Sequence, residues 1–523
     1  MTQLNQVGQH LASGLLQASD ADNLDVRATA RAEKVNVVGA GGALTAAYEQ
    51  LRNAAENTEE HLLLQNAIRR FYKQLFIARD ETLVRSSGNE LAVELTFAGY
   101  VPNDSLTKTQ LNRISKLATA HYAAYEILHT QRSFSVERSS GWLLDTLSVG
   151  VESIINSHRR DTVFINFAYS YFEKVVSARD IGVKKTDTNE YSAALFAAIH
   201  KALLKSNTAV IRASLLGRYG SGVDKLDEYV AYNAQIDDLL KSSLTETLYR
   251  IVDRQGAPLR IIRRMLEARG DIADLLPKRE VFLETFEQQV NKEYYAIGKR
   301  INRAIVRSVI FLIITKFLIG IAIEVPYDIW AHGTIVWMPL LINLAFPPLY
   351  MVALRLTHTL PGYANTTALV DRVDSMLYGE KVTLMKKQLT PNRYGPIFSA
   401  VYAILSLMVF GAVMSLLLML GFSFVHIVIF FIFISAASFL GFRLSCLIRE
   451  LEIVRSSSNG LTFVRDVVYL PFVVVGQWMS DKYSQINIVT VVLDMVIELP
   501  LKTVLRLIRQ WGAFIDDRKD RIV

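Results

Sequence analysis

IVRSVIFLIITKFLIGIAIEV, residues Ile305–Val325, decides the class of this chain. It is about as long as the ~20 apolar residues a helix needs to cross a bilayer core. Three further stretches match it: Thr334–Leu354, Ile397–Leu420 and Phe424–Leu444. The first 300 residues contain no such run. The sequence therefore predicts an all-α protein: a cytoplasmic helical bundle, a transmembrane domain of four spans, and C-terminal interfacial amphipathic helices.

Working outward, the loops set the orientation. Lys299, Arg300, Arg303 and Arg307 enter span one, whereas the connection 326–333 carries no Lys or Arg. Arg355, Arg372, Lys381, Lys386, Lys387 and Arg393 follow span two. The turn at Gly421-Phe422-Ser423 is uncharged, and Arg443, Arg449, Arg455 and Arg465 follow span four. Basic residues alternate with the spans, which places both termini in the cytoplasm by the positive-inside rule. Tyr327, Trp330 and Trp337 gather at the outer end, where amphipathic rings favour the interface. The expected location is the cell membrane, with multiple crossings.

The net charge is +7. Its distribution is 37 Lys+Arg against 36 Asp+Glu in residues 1–300, and 20 against 14 in 301–523. A nucleic-acid reader concentrates basic charge on its soluble domain; here that domain is balanced, so nucleic acid is not expected as a partner. The single cysteine, Cys446, excludes an intramolecular disulfide framework and reads as a small buried residue.

Residues 1–40 read as a mobile polar tail with a short Leu4/Val7/Leu11/Leu15 stripe. Residues 41–276 read as the helical domain, with an uninterrupted helix over 59–86 and breaks at Ser87-Gly88-Asn89, Pro102-Asn103-Asp104, Gly217–Gly222 and Gly256-Ala257-Pro258. Phe286, Val290, Tyr294, Ile297, Ile301 and Ile305 form one stripe on a helical stalk, 277–304, that runs into span one. The transmembrane domain covers 305–447. In 448–523, Val467–Trp478 holds 12 apolar residues around Pro471, and Ile486–Leu499 is interrupted by Asp494 and Glu498. Both read as re-entrant or interfacial. Lys502, Arg506 and Arg509 oppose the apolar face Leu501, Val504, Leu505, Ile508 and Trp511, the pattern of a helix lying on an anionic leaflet, with packing against the cytoplasmic bundle as the competing reading.

Motifs for chemistry are sparse. Gly39-Ala40-Gly41-Gly42-Ala43-Leu44 lacks the third small residue and the strands of a dinucleotide-binding turn. Glu126-Ile127-Leu128-His129 is a single copy of a spacing that di-iron bundles use twice. No catalytic residue, cofactor or metal is expected. The spans say more. Lys316 lies near the middle of span one, Asn343 at similar depth in span two, and Ser406 and Ser435 near mid-depth in spans three and four. Pro347 frees the carbonyl of Asn343. These five form a candidate midplane polar cluster, which either lines a pathway or fixes helix packing. Gly411/Ser415 and Ala437/Gly441 predict a close hairpin of spans three and four. The leading expectation is a membrane-anchored interaction or scaffold protein whose helical domain binds a protein partner or a second copy. The alternative is a small transporter or channel with a cytoplasmic regulatory domain.

Overall fold

The computed structural model describes residues 4–37, 45–131 (apart from 48, 51 and 54–58), 135–176, 188–357, 360–379, 396–454, 460–485 and 511. Among these, the chain is all helical, with one isolated bridge between Lys34 and Thr107. Four helices are long and apolar enough to cross a membrane: Arg279–His332, Trp337–Leu356, Pro396–Met419 and Phe424–Arg449.

The N-terminal segment corrects the expectation of a mobile tail. Gln6–Arg31 (α1) is a helix whose first turn is capped by Asn5, the side-chain oxygen accepting from Gly8 N–H at 2.9 Å. Val7, Leu11, Leu15 and Ala18 recur every three or four residues and are buried. The stripe that looked too short for a helix continues in Ala18. α1 packs on Arg159–Val175.

Helix boundaries in the bundle also differ from the sequence reading. The expected run 59–86 is broken where Arg79 adopts φ 52° and Asp80 caps Glu81–Arg85 through Thr82 and Leu83 N–H. The break expected at Ser87-Gly88-Asn89 falls one residue earlier, at Ser86, which ends Glu81–Arg85 and precedes the helix Ser87–Phe97. Gly88 is required there, because a Cβ would run into the carbonyl of Leu111, and its N–H donates to Ser115 Oγ at 2.9 Å. The breaks at Gly220 (φ 65°) and Gly256-Ala257-Pro258 are where the sequence puts them.

Arg279–Ile319 (α2) joins bundle and spans. Phe286, Val290, Tyr294, Ile297, Ile301 and Ile305 are all buried along it. The helix does not stop at Val325. A wide i→i+5 turn, Gly320–Glu324, passes it into Val325–His332 (α3), 54 helical residues in all. At 1.5 Å per residue that is about 80 Å. The expected outer connection therefore begins only at Gly333, in the left-handed region at φ 70°.

Trp337–Thr357 (α4) contains Pro347 and Pro348 and packs against α2. Tyr363–Leu377 (α5) turns back into the bundle. Asn5 holds its end, donating from N–H to Leu377 O at 2.8 Å and from Nδ2 to Met376 O at 2.9 Å. Pro396–Met419 (α6) leaves most of its surface unburied. The expected close hairpin of spans three and four is not what packs here. Gly411 has nothing within 4 Å of a Cβ position. Phe424–Arg449 (α7) instead packs most extensively on Gly460–Gln485 (α8), then on α4.

α8 replaces the expected 12-residue interfacial piece with 26 helical residues. It runs antiparallel to α7. Tyr469 Oη donates to Ser438 O at 2.9 Å, and Val475, Trp478 and Met479 face Val428, Ile432 and Ser435. Gly476 allows the contact: a Cβ there would strike the Ser435 carbonyl and come within 2.7 Å of Phe439 Cβ.

Candidate functional site

Five polar side chains meet between α2, α3, α4 and α7, and all are buried: Lys316, Glu324, Asp328, Asn343 and His426. The sequence reading named two of them. An undistorted α-helix would place residue 324 about 80° round from residue 316. The wide turn takes up an extra residue and swings Glu324 back onto the face of Lys316. Asp328 follows one turn later on α3. Such wide turns cluster at functional sites because they re-aim side chains at the cost of regular bonding.

The geometry forms two linked pairs. Lys316 Nζ donates to Glu324 Oε1, with side-chain exposures of 1% and 0%. The ammonium also lies 4.9 Å from the Phe433 ring centroid. In the second pair His426 Nε2 is 3.4 Å from Asp328 Oδ1, at ion-pair distance but outside hydrogen-bond alignment. His426 Nδ1 is 2.8 Å from Ser423 Oγ, and Asp328 Oδ2 accepts from Val336 N–H at 3.0 Å. Asn343 links the pairs, its Nδ2 lying 3.3 Å from Glu324 Oε1 and 3.2 Å from the His426 carbonyl.

The cluster is incompletely satisfied. Glu324 Oε2, Asn343 Oδ1, Asp328 Oδ1 and His426 Nε2 have no hydrogen-bond partner among the described residues. It is also unbalanced, with two carboxylates against one lysine. The N-terminal bundle holds a contrasting case. Arg212 donates to Asp145 Oδ2 at 3.2 Å, Asn233 Oδ1 at 3.0 Å and Asp237 Oδ1 at 2.7 Å. Arg69 takes the other oxygen of Asp145 at 2.9 Å, and Trp142 Nε1 the other of Asp237 at 3.1 Å. Burial pushes the Asp237 carboxyl up, but Arg212 outweighs it and holds the group below its usual range. None of these side-chain atoms is left unpaired. That network fixes the bundle.

The remaining expected members fall elsewhere. Lys316 and Asn343 do meet, through Glu324 rather than directly. Pro347 is buried within α4, four residues after Asn343. Ser435 is buried but faces the apolar cleft between α6, α7 and α8 and has no partner. Ser406 donates to Tyr402 O on its own helix at 2.8 Å and stays outside the cluster. Lys502, Arg506 and Arg509 lie outside the described residues, as do Gly39–Leu44 and Ile486–Leu499. Among the described residues no group of three His, Cys, Asp or Glu is placed to hold a metal, so Glu126 and His129 stand alone.

Glu324 and Asp328 were legible as Lys316+8 and Lys316+12, yet one read as the end of a span and the other as a loop. His426 carried no such signal. Comparison with known proteins finds no matching family model, no matching curated protein and no matching solved structure.

Proposed function

We propose that this chain is a membrane transport protein that moves a cation through its four-span domain, with the helical bundle on the cytoplasmic side. One observation carries the reading: a charged cluster at the depth of the spans that is both unbalanced and unsatisfied. A charge near the bilayer centre costs at least ~2.5 kcal/mol. Where the only task is packing, apolar residues of similar volume do as well or better. The Arg212 network shows how this chain completes a buried charged cluster, with none of its side-chain atoms left unpaired. The membrane cluster leaves a formal −1 if His426 is neutral, with Glu324 Oε2 and Asn343 Oδ1 lacking any hydrogen-bond partner among the described residues.

Tyr350 Oη lies 3.0 Å from Ser438 Oγ, about two helical turns along α4 from Asn343. That is a further polar level toward the bundle. Leu312, Phe433 and Met351 are buried among the side chains around the two levels, so the path is closed here. The long α2 carries the bundle and Lys316 on one rod, and Asn365 ties the same rod to the end of α7. Its Nδ2 donates to Tyr294 Oη at 2.7 Å and Leu451 O at 2.8 Å, and its Oδ1 accepts from Ile453 and Val454 N–H. Movement of the bundle is thereby coupled to the spans.

The test is a voltage-driven flux assay on purified protein in liposomes, under separate proton, sodium and potassium gradients. A current above that of empty vesicles is expected for one of them. Vesicles as tight as empty ones under all three would leave the cluster a packing device, and would favour the interaction reading that the large helical bundle supports.

A further inference from the structure

We infer that the cation is a proton, held reversibly on His426 between Asp328 and Ser423; this rests on the transport reading for its purpose, though not for its chemistry.

Both ring nitrogens of His426 are matched to partners that accept either charge state. Nε2 faces Asp328 Oδ1 at 3.4 Å, so a proton there points at a carboxylate. Nδ1 faces the Ser423 hydroxyl at 2.8 Å. A hydroxyl is both donor and acceptor. With neutral imidazole, Ser423 O–H donates to the Nδ1 lone pair. With imidazolium, the hydroxyl rotates and accepts from Nδ1–H. One proton is gained, no heavy atom has to move and no other bond changes. Charge then balances across the cluster: Lys316 with Glu324, His426 with Asp328. Neutralisation of a buried carboxylate that lacks a lysine is what the low-dielectric setting favours.

The surroundings fit a proton better than a metal ion. Beside Asp328 Oδ1, which faces His426, the cluster offers only Glu324 Oε2 and Asn343 Oδ1 as oxygens without a hydrogen-bond partner among the described residues. Hard cations such as calcium take about 6–8 oxygen ligands, and the Lys316 ammonium repels any that approach. The other groups facing His426 are the rings of Tyr327 and Phe422, each 6.1 Å away, with His332 against Tyr327. Neither ring supplies a charge. Ser423 sits half-buried at the start of α7, next to the turn, and gives the proton a route to one surface. Asn343 touches the His426 carbonyl and Glu324 together, so a change of charge at one pair is felt at the other.

The experiment is a pH titration of 15N-histidine-labelled full-length protein in lipid nanodiscs, with His426→Gln identifying the resonances. His426 is expected to pass between neutral and imidazolium forms between pH 5 and 9. Asp328→Asn should weaken proton uptake at His426, since a neighbouring carboxylate favours the charged form. A fixed protonation state across that range would overturn the inference. So would a midpoint indifferent to Asp328→Asn, or one that shifts when sodium replaces choline at constant ionic strength. The two readings separate in liposomes. Titration without proton flux refutes transport and keeps the site. Proton flux that survives His426→Gln refutes the site and keeps transport.

Discussion

Removing one half of the Lys316–Glu324 pair should be costly, and removing both should not. The two side chains are 1% and 0% exposed, so neither can turn to water when its partner is lost. Breaking a buried ion pair from one side costs about 3–5 kcal/mol, while replacing both members with apolar residues is often neutral or stabilising. Lys316→Leu and Glu324→Leu are therefore each expected to destabilise by about 3–5 kcal/mol, and the double change to lie near the parent. The coupling energy should exceed about 3 kcal/mol. Neutral hydrogen bonds between membrane helices average only about 0.6 kcal/mol in such cycles, so a value this large requires the charges. The assay is reversible unfolding in mixed micelles, followed by circular dichroism for all four proteins. Additivity within about 0.5 kcal/mol would mean the two groups do not depend on one another. It would refute the pairing on which the site is built.

Three further outcomes follow from other parts of the fold. Burial pushes His121 and His200 down to about 4 against an ordinary 6.5, so the unfolded chain binds protons first as pH falls and stability is lost between about 6.5 and 4. At pH 5 this amounts to about 2 kcal/mol per histidine, and His121→Gln or His200→Gln should flatten the thermal stability–pH curve accordingly. Asn365→Leu abandons two donated and two accepted hydrogen bonds and should cost on the order of 2–4 kcal/mol, with faster proteolysis after Glu452 as the local readout. In a Cys446→Ser background, cysteines at His332 and Ser423 should label from outside intact cells and one at Ser375 should not. Labelling at Ser375 would overturn the orientation.

The gross plan was legible because its signals are long. The helical class and four apolar runs, each of about 20 residues, do not depend on tertiary detail. The buried stripe from Phe286 to Ile305 was equally clear. What failed was local. The wide turn at Gly320–Glu324 has no compositional mark, so Glu324 read as a span end and Asp328 as loop, although both stand on Lys316's side of one continuous helix. α1 reads as a polar tail, yet its five buried positions and the Asn5 cap suffice once Arg159–Val175 supplies a surface. α8 has an apolar run of only 12 residues, Val467–Trp478. Its 26 residues are helical because Gly476 and Tyr469 fit against α7, a complementarity that no single segment contains.

The most direct test of the central claim compares transport by the parent with transport by the Lys316→Leu/Glu324→Leu double variant, in the same liposomes and with thermal unfolding recorded for both. The account predicts a variant as stable as the parent to within about 1 kcal/mol that carries no cation flux. A variant that folds equally well and still transports at the parental rate would contradict it, because Lys316 and Glu324 would then lie off the path.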